Sequence, residues 1–345
     1  FQPFLTRRRT ERDLRGRILE GGWRQMKKSK ITFLIAELFL VVIAGFFIHQ
    51  IFRENVPQKR VAVILSNSGD KRWDGLINGL KQSANVNDVH LIICNTDDIE
   101  SAQDEKELID EQLENDVDAF IICPAPGEDT SDMLGQLGDV PFVLITQDAY
   151  SEDGASGFVT IKPDNYKIGY TLGEQIRAND ADGLRGKSIG IITGYSQTEG
   201  SVSGKAGLMD AIEETGCEVS WVYSRCGNQN ICDIVDILGK VDYMVVMDTY
   251  AIDEIGENAD NGMYNGAQIY GMGTSVKSVA LLDAGKIKCL VIPDGYGVGY
   301  ASVTEVVKGL NSRLYTMKSR EEGIKIIYSD DLFSDDVERF LYSYE

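Results

Sequence analysis

A chain of 345 residues, 43% hydrophobic and 26% charged, is long enough for two globular lobes and an appendage. Its net charge of −20 is unevenly spread: ten Lys/Arg against three acids leave residues 1–30 at +7 and the other 315 residues at −27. So acidic a body argues against a nucleic-acid partner, because phosphate binding relies on Lys and Arg displacing counterions.

The basic head runs directly into ITFLIAELFLVVIAGFFI, Ile31 to Ile48, whose only charge is Glu37. Eighteen helical residues span about 27 Å, close to the ~30 Å hydrocarbon core of a bilayer. The run therefore reads as a transmembrane anchor over 31–52, with residues 1–30 cytoplasmic and the rest of the chain outside the cell membrane. The competing reading is a cleavable signal peptide, which calls for a shorter apolar stretch and a small-residue cleavage site. Here the run continues into Phe46, Phe47 and Ile48.

From Arg60 onward, short β-branched runs alternate with longer amphipathic stretches. The runs are VAVILS (61–66), VHLIIC (89–94), AFIIC (119–123), FVLIT (142–146), FVTI (158–161), SIGIIT (188–193), EVSWVY (218–223), YMVVM (243–247), AQIYGM (267–272), CLVI (289–292) and IKIIYS (324–329). Near-continuous apolar runs suit parallel strands buried on both faces, and the stretches between them read as helices. Ser101 followed by Asp104 resembles a capping box opening a helix through Glu114. Gly169, Leu172, Gly173 and Ile176 share one helical face, where the glycines allow a close neighbour. Eleven strands exceed one sheet of common size, so the pattern predicts an α/β fold of two Rossmann-like lobes, divided after FVTI. Their strand ends would border a common cleft.

Six cysteines lie in this part of the chain. Cys94 and Cys123 end apolar runs and read as small buried thiols. Cys226 and Cys232 flank GNQNI and are candidates for a disulfide in an oxidising location. Two histidines and no C-x-x-C give no basis for a metal site. No phosphate-binding loop occurs, GYGVGY (295–300) lacks dinucleotide-binding spacing, and no Ser-His arrangement can be assembled. The expectation is a binding protein without a cofactor, not an enzyme.

Several stretches carry a resemblance in order and spacing across nearly 285 residues: VAVILSNSGDKRWDGLINGLKQSA, DAFIICPAP, VPFVLITQD, VTIKPDNYKIGYTLGEQI, GKSIGIITG, YMVVMDTYAIDEI and IIYSDDLFSDDVERFL. This region resembles the type I periplasmic-binding-protein superfamily, the ribose-binding and lactose-repressor-like sugar-binding domains. The resemblance implies two lobes joined by three crossover segments, near Ile161–Asp164, Ile292–Asp294 and Ile326–Ser329. Within a domain of residues 57–345, lobe 1 would take 57–162 and 294–325, and lobe 2 would take 163–293 and 326–345. It also implies hinge closure over a small polar solute, a sugar or a sugar-like molecule.

By rough alignment the implied contacts depart from the sugar-binding pattern. Asn67 and Trp73 stand in the loop after the first strand, Gln147 and Asp148 after the fourth, and Tyr195 after SIGIIT; Asp248 follows YMVVM, and Asp294 lies at a crossover. Each has a plainer reading. Asn67 either bonds ligand or holds its own turn; Trp73 either stacks on a ring face or anchors its helix. Gln147, Asp148 and Tyr195 are ligand contacts or ordinary loop residues. Asp248 is an acceptor or a helix cap, and Asp294 serves ligand or crossover geometry. Two uses follow: delivery to the permease of an ABC transporter, or an anchored sensor or accessory that engages another membrane protein, such as a sensor kinase.

Overall fold

The computed structural model describes residues 33, 35–48, 58–152, 154–227, 229–259, 264, 266–312 and 314–342, and divides into two compact units, 1–57 and 58–345. The basic head, residues 49–57, and Ile31, Thr32 and Leu34 of the apolar run lie outside the described residues. Residues 35–48 form a helix, α1. Among the described residues no helix is long and apolar enough to cross a membrane.

In the larger unit the apolar runs become strands because period-two side chains, packed from both sides, leave no polar face. Five parallel strands make the first sheet: β1 (Lys59–Ile64), β2 (Val89–Ile93), β3 (Ala119–Ile122), β4 (Phe142–Ile145) and β5 (Thr160–Pro163). β1 is central, pairing Val61 with Leu91 on one side and with Ala119 on the other. The second sheet repeats this order with β6 (Ser188–Thr193), β7 (Glu218–Ser224), β8 (Tyr243–Met247), β9 (Gln268–Met272) and β10 (Cys289–Pro293). An edge strand completes each: β11 (Arg320–Glu322) runs parallel to β5, and β12 (Ile324–Ile327) antiparallel to β10. Every sheet is covered on both faces by separate hydrophobic clusters.

Two helix pairs pack unusually closely, and glycine is the reason. α5 (Asn165–Asn179) lies on α6 (Glu199–Ile212), where a β-carbon at Gly169 would fall 1.8 Å from the carbonyl oxygen of Gly204. The expected face of Gly169, Leu172, Gly173 and Ile176 is buried here. α10 (Gly295–Asn311) lies likewise on α2 (Asp74–Val86), with Gly299 against the carbonyl of Leu76. Ser101 caps α3 (Ala102–Glu114), its hydroxyl accepting from Asp104 N at 3.3 Å while the Asp104 carboxylate accepts from Glu100 N at 3.2 Å.

The chain passes between the sheets three times. The first two passages are alike: a strand ends on Pro163 or Pro293, and the next aspartate starts a helix in the other lobe. Asp164 accepts from Lys167 N at 2.9 Å, and Asp294 from Gly297 N at 2.7 Å. The third passage is Gly323 alone, between Glu322 of β11 and Ile324 of β12, earlier than the Ile326–Ser329 crossing expected from the sequence. The shift has a simple cause: IKII pairs along β10 from Pro293↔Ile324 to Leu290↔Ile327, so residues 324 and 325 already belong to the second sheet. Asp294 N donates to the Gly323 carbonyl at 2.9 Å, tying the second and third passages together.

The Cys226–Cys232 disulfide does not form; both thiols are free. Cys226 is exposed, whereas α7 (Ile231–Leu238) turns Cys232 into the core. There its sulfur accepts from Tyr264 Oη and Asn258 Nδ2, each at 3.2 Å.

Candidate functional site

Parallel strands bring their C-terminal ends to one edge of each sheet, and the two edges face each other across a cavity of about 240 Å³. From the first lobe, the loops after β1, β3 and β4 supply Arg72, Trp73, Pro124 and Gln147; from the second, the loops after β6, β7 and β8 supply Tyr195, Arg225 and Asp248. Pro163 and Pro293, at the first two passages, form the floor on the hinge side.

Trp73 closes a short 3-10 turn, Lys71–Trp73, that Asp70 starts by accepting from Arg72 N at 2.8 Å. The indole N–H donates to the Ser66 carbonyl at 3.0 Å, which fixes the ring against the cavity. The Arg72 guanidinium lies 5.4 Å from the Trp73 ring and 5.8 Å from that of Tyr250, in the opposite lobe. The second arginine mirrors it. Arg225 follows β7 and stacks at 4.6 Å over Tyr195 and 5.5 Å over Tyr250.

Each guanidinium has a carboxylate at 3.8 Å from its Nε, Asp70 for Arg72 and Asp248 for Arg225. That separation is too long for a hydrogen bond, and both buried Nε atoms lack a hydrogen-bond partner. Asp248 combines the two roles read from the sequence. Its Oδ1 caps the turn into α8 (Ala251–Asn258), accepting from Tyr250 N at 2.9 Å and Ala251 N at 2.7 Å, while its Oδ2 faces Arg225.

Trp73, Gln147, Tyr195 and Asp248 thus meet at one cavity. Gln147 also bridges the lobes: its Nε2 donates to the Pro124 carbonyl at 3.3 Å and its Oε1 accepts from Gly200 N at 3.4 Å. Three other expected residues are placed differently. The Asp148 carboxylate is consumed by its own loop, accepting from Ala149 N at 2.8 Å, Ser156 N at 3.0 Å and the Ser156 hydroxyl. Asp294 is the helix cap described above and does not border the cavity. Asn67, with φ 49°, borders a separate chamber at the cleft mouth.

Arg225 is the residue that sequence reasoning missed. Its signal was its place two residues beyond EVSWVY, at a strand's C-terminal end. Burial pushes the Cys123 thiol up to about 11, so it stands as a neutral wall group beside Thr146. Among the described residues no cluster of His, Cys, Asp and Glu could hold a metal. What the cavity offers is an aromatic face, planar hydrogen-bond donors and a carboxylate acceptor, a set suited to hydroxyl groups on a small solute.

Three comparisons bear on this geometry. The sequence profile described as "Periplasmic binding protein domain" matches residues 61–313. A D-ribose/D-allose-binding protein of Pseudomonas aeruginosa is 23% identical over 215 residues, which span 60% of this chain and 66% of that protein, just under two thirds of its length. A carbohydrate transporter solute binding protein from Agrobacterium radiobacter, solved with D-arabinose, superposes with a TM-score of 0.73 at 15% identity, covering 83% of this chain and all of that one. A structure solved as a XylFII–LytSN complex gives 0.67 at 13% identity, over 80% of this chain and all of that one. At such identities the superpositions speak for the two-lobed fold. The relatives matched are binding proteins, not enzymes.

Proposed function

Because the chain belongs to the periplasmic binding protein domain family, we propose that it captures a small polar ligand, a sugar or sugar-like molecule, between its lobes. The observation that carries this reading is the interlobe cavity, where Trp73 supplies a ring face and Arg72, Arg225 and Asp248 supply donors and an acceptor from opposite walls. Such a mixture suits a polyhydroxylated ring, whose C–H face stacks while its hydroxyls both donate and accept.

The experiment is a thermal-shift screen of the full chain in detergent micelles against aldopentoses, aldohexoses, amino acids and purines. A sugar at 100 times its dissociation constant adds about 2.7 kcal/mol, so the melting temperature is expected to rise with at least one aldose and stay flat with the other classes. A flat response to every sugar contradicts the reading.

The proposal includes anchoring through Ile31 to Ile48, with the N-terminus cytoplasmic and the large unit extracytoplasmic. The +7 head supports that orientation. The large apolar side chains of α1 support the anchor: Leu38, Phe39, Leu40, Phe46 and Ile48 are each more than half exposed, a surface that lipid would cover. Protease added to intact protoplasts is expected to remove the large unit and leave a short membrane-bound stub. Full protection of the large unit would place it on the other side.

Captured solute would pass to the permease of an ABC transporter or be sensed through a membrane kinase. A second reading, in which the domain engages another membrane protein instead of feeding transport, draws on the XylFII–LytSN complex, a fold of this kind solved in a complex.

A further inference from the structure

A second chamber, of about 230 Å³, lies at the mouth of the cleft, bordered by Asn67, Asp98, Gln229, Asn230 and Glu254. Asp98, Gln229 and Asn230, on its wall, are exposed. The two spaces share walls: Arg72 and Arg225 border both. With the Tyr250 ring between the guanidiniums, 5.8 Å from one and 5.5 Å from the other, these side chains form a partition one residue thick. Both Nε atoms in that partition are buried without a hydrogen-bond partner, and the Arg72 side chain is only 9% exposed.

We propose that the two chambers are adjoining subsites of one elongated site and that its ligand is a neutral two-ring glycoside. One ring occupies the inner cavity against Trp73, the other occupies the outer chamber, and oxygens near the linkage accept from Arg72 and Arg225. The inference rests on reading the inner cavity as a sugar site.

Size and charge both favour it. Each chamber alone falls below the ~300 Å³ at which ligand sites usually begin, whereas the two together fall within the usual range. A negatively charged second unit is disfavoured, because Asp98 and Glu254 border the outer chamber and each arginine already has a carboxylate at 3.8 Å. Hydroxyl groups suit the same wall: they donate to the carboxylates and exchange hydrogen bonds with the amides of Asn67 and Gln229.

The test is titration calorimetry of the full chain in detergent micelles. The probes are lactose, cellobiose, maltose and xylobiose, each set against its component monosaccharides. Asn67→Gly removes the amide while keeping a residue that accepts the positive φ, and Gln229→Ala trims an exposed side chain. At least one disaccharide is expected to bind tenfold or more tightly than its monosaccharides. The two variants together are expected to lower that affinity at least fivefold while leaving monosaccharide affinity within twofold. Monosaccharide binding that no disaccharide exceeds overturns the outer subsite and leaves the inner one standing, as does a disaccharide affinity untouched by the variants. Absence of binding by either class overturns both readings.

Discussion

Replacing Arg225 with alanine is expected to weaken solute binding by about 2–5 kcal/mol, roughly 30- to 4000-fold. The size follows from what the arginine leaves behind. Asp248 has a side chain only 9% exposed, and Arg225 Nε, at 3.8 Å, is the cation beside its Oδ2. Without it, the carboxylate keeps two backbone donors on Oδ1 but loses the positive charge on the cavity side. The stacking over Tyr195 and Tyr250 also disappears, a further ~0.5–1 kcal/mol at each ring. Arg225→Lys should fall between parent and alanine, because it keeps a charge but not the planar fork. Calorimetry with the best aldose from the screen measures all three proteins. An alanine variant that stays folded and binds within threefold of the parent would remove Arg225 from the site.

The second large effect is expected at Glu199, at the start of α6. Its Oε1 lies 2.7 Å from Lys162 Nζ and accepts from the Ser203 hydroxyl at 2.8 Å. Its Oε2 accepts from Asn165 Nδ2 at 2.9 Å and from Asp148 N at 3.3 Å. Lys162 and Asp148 belong to the first lobe, so this carboxylate ties the lobes together beside the first passage. Both charged side chains are 19% exposed. Glu199→Ala leaves the lysine without its partner and is expected to cost about 3 kcal/mol, the low end for breaking a buried pair. Because the contact joins the lobes, the closed form bears that loss and ligand affinity falls with it.

The same group predicts a pH dependence. Burial pushes the Glu199 carboxyl up, but Lys162 and the hydrogen bonds from Ser203 and Asn165 outweigh it and hold it below its ordinary value of 4.5. A depressed folded value means the stabilisation is present above pH 4.5 and is lost as pH falls through the folded value. Melting curves at pH 7 and well below pH 4.5 should therefore show a gap between parent and Glu199→Ala at neutral pH that narrows in acid. A constant separation across that range would deny the ion pair its role.

Much of the fold was legible because buried parallel strands leave a plain mark: runs such as VAVIL and YMVVM have no polar face to hide. β11 left none. Arg-Glu-Glu is an edge strand held by backbone pairing to β5, and three charged side chains conceal it. The third passage was misplaced for a related reason, since the apolar run IKII gives no sign that a single glycine before it already makes the crossing. The placements of Asp164 and Asp294 were within reach, because both follow proline and stand three residues before the backbone N–H they cap. The pairing of Arg225 with Asp248 was not: the two meet only because β7 and β8 flank β6 in the second sheet, a relation set by strand order and not by spacing along the chain. Cys226 and Cys232 show the converse: near in sequence, they part because one lies on a loop and the other on the inward face of a helix.

The central claim is that an aldose sugar binds between Trp73 and the two arginines. A crystal structure of the chain grown with the aldose that gives the largest thermal shift tests it most directly. The account predicts one sugar ring in the interlobe cavity, stacked on Trp73, with its oxygens within hydrogen-bond distance of Arg72, Arg225 and Asp248. A sugar bound elsewhere, with that cavity holding only water, would contradict it.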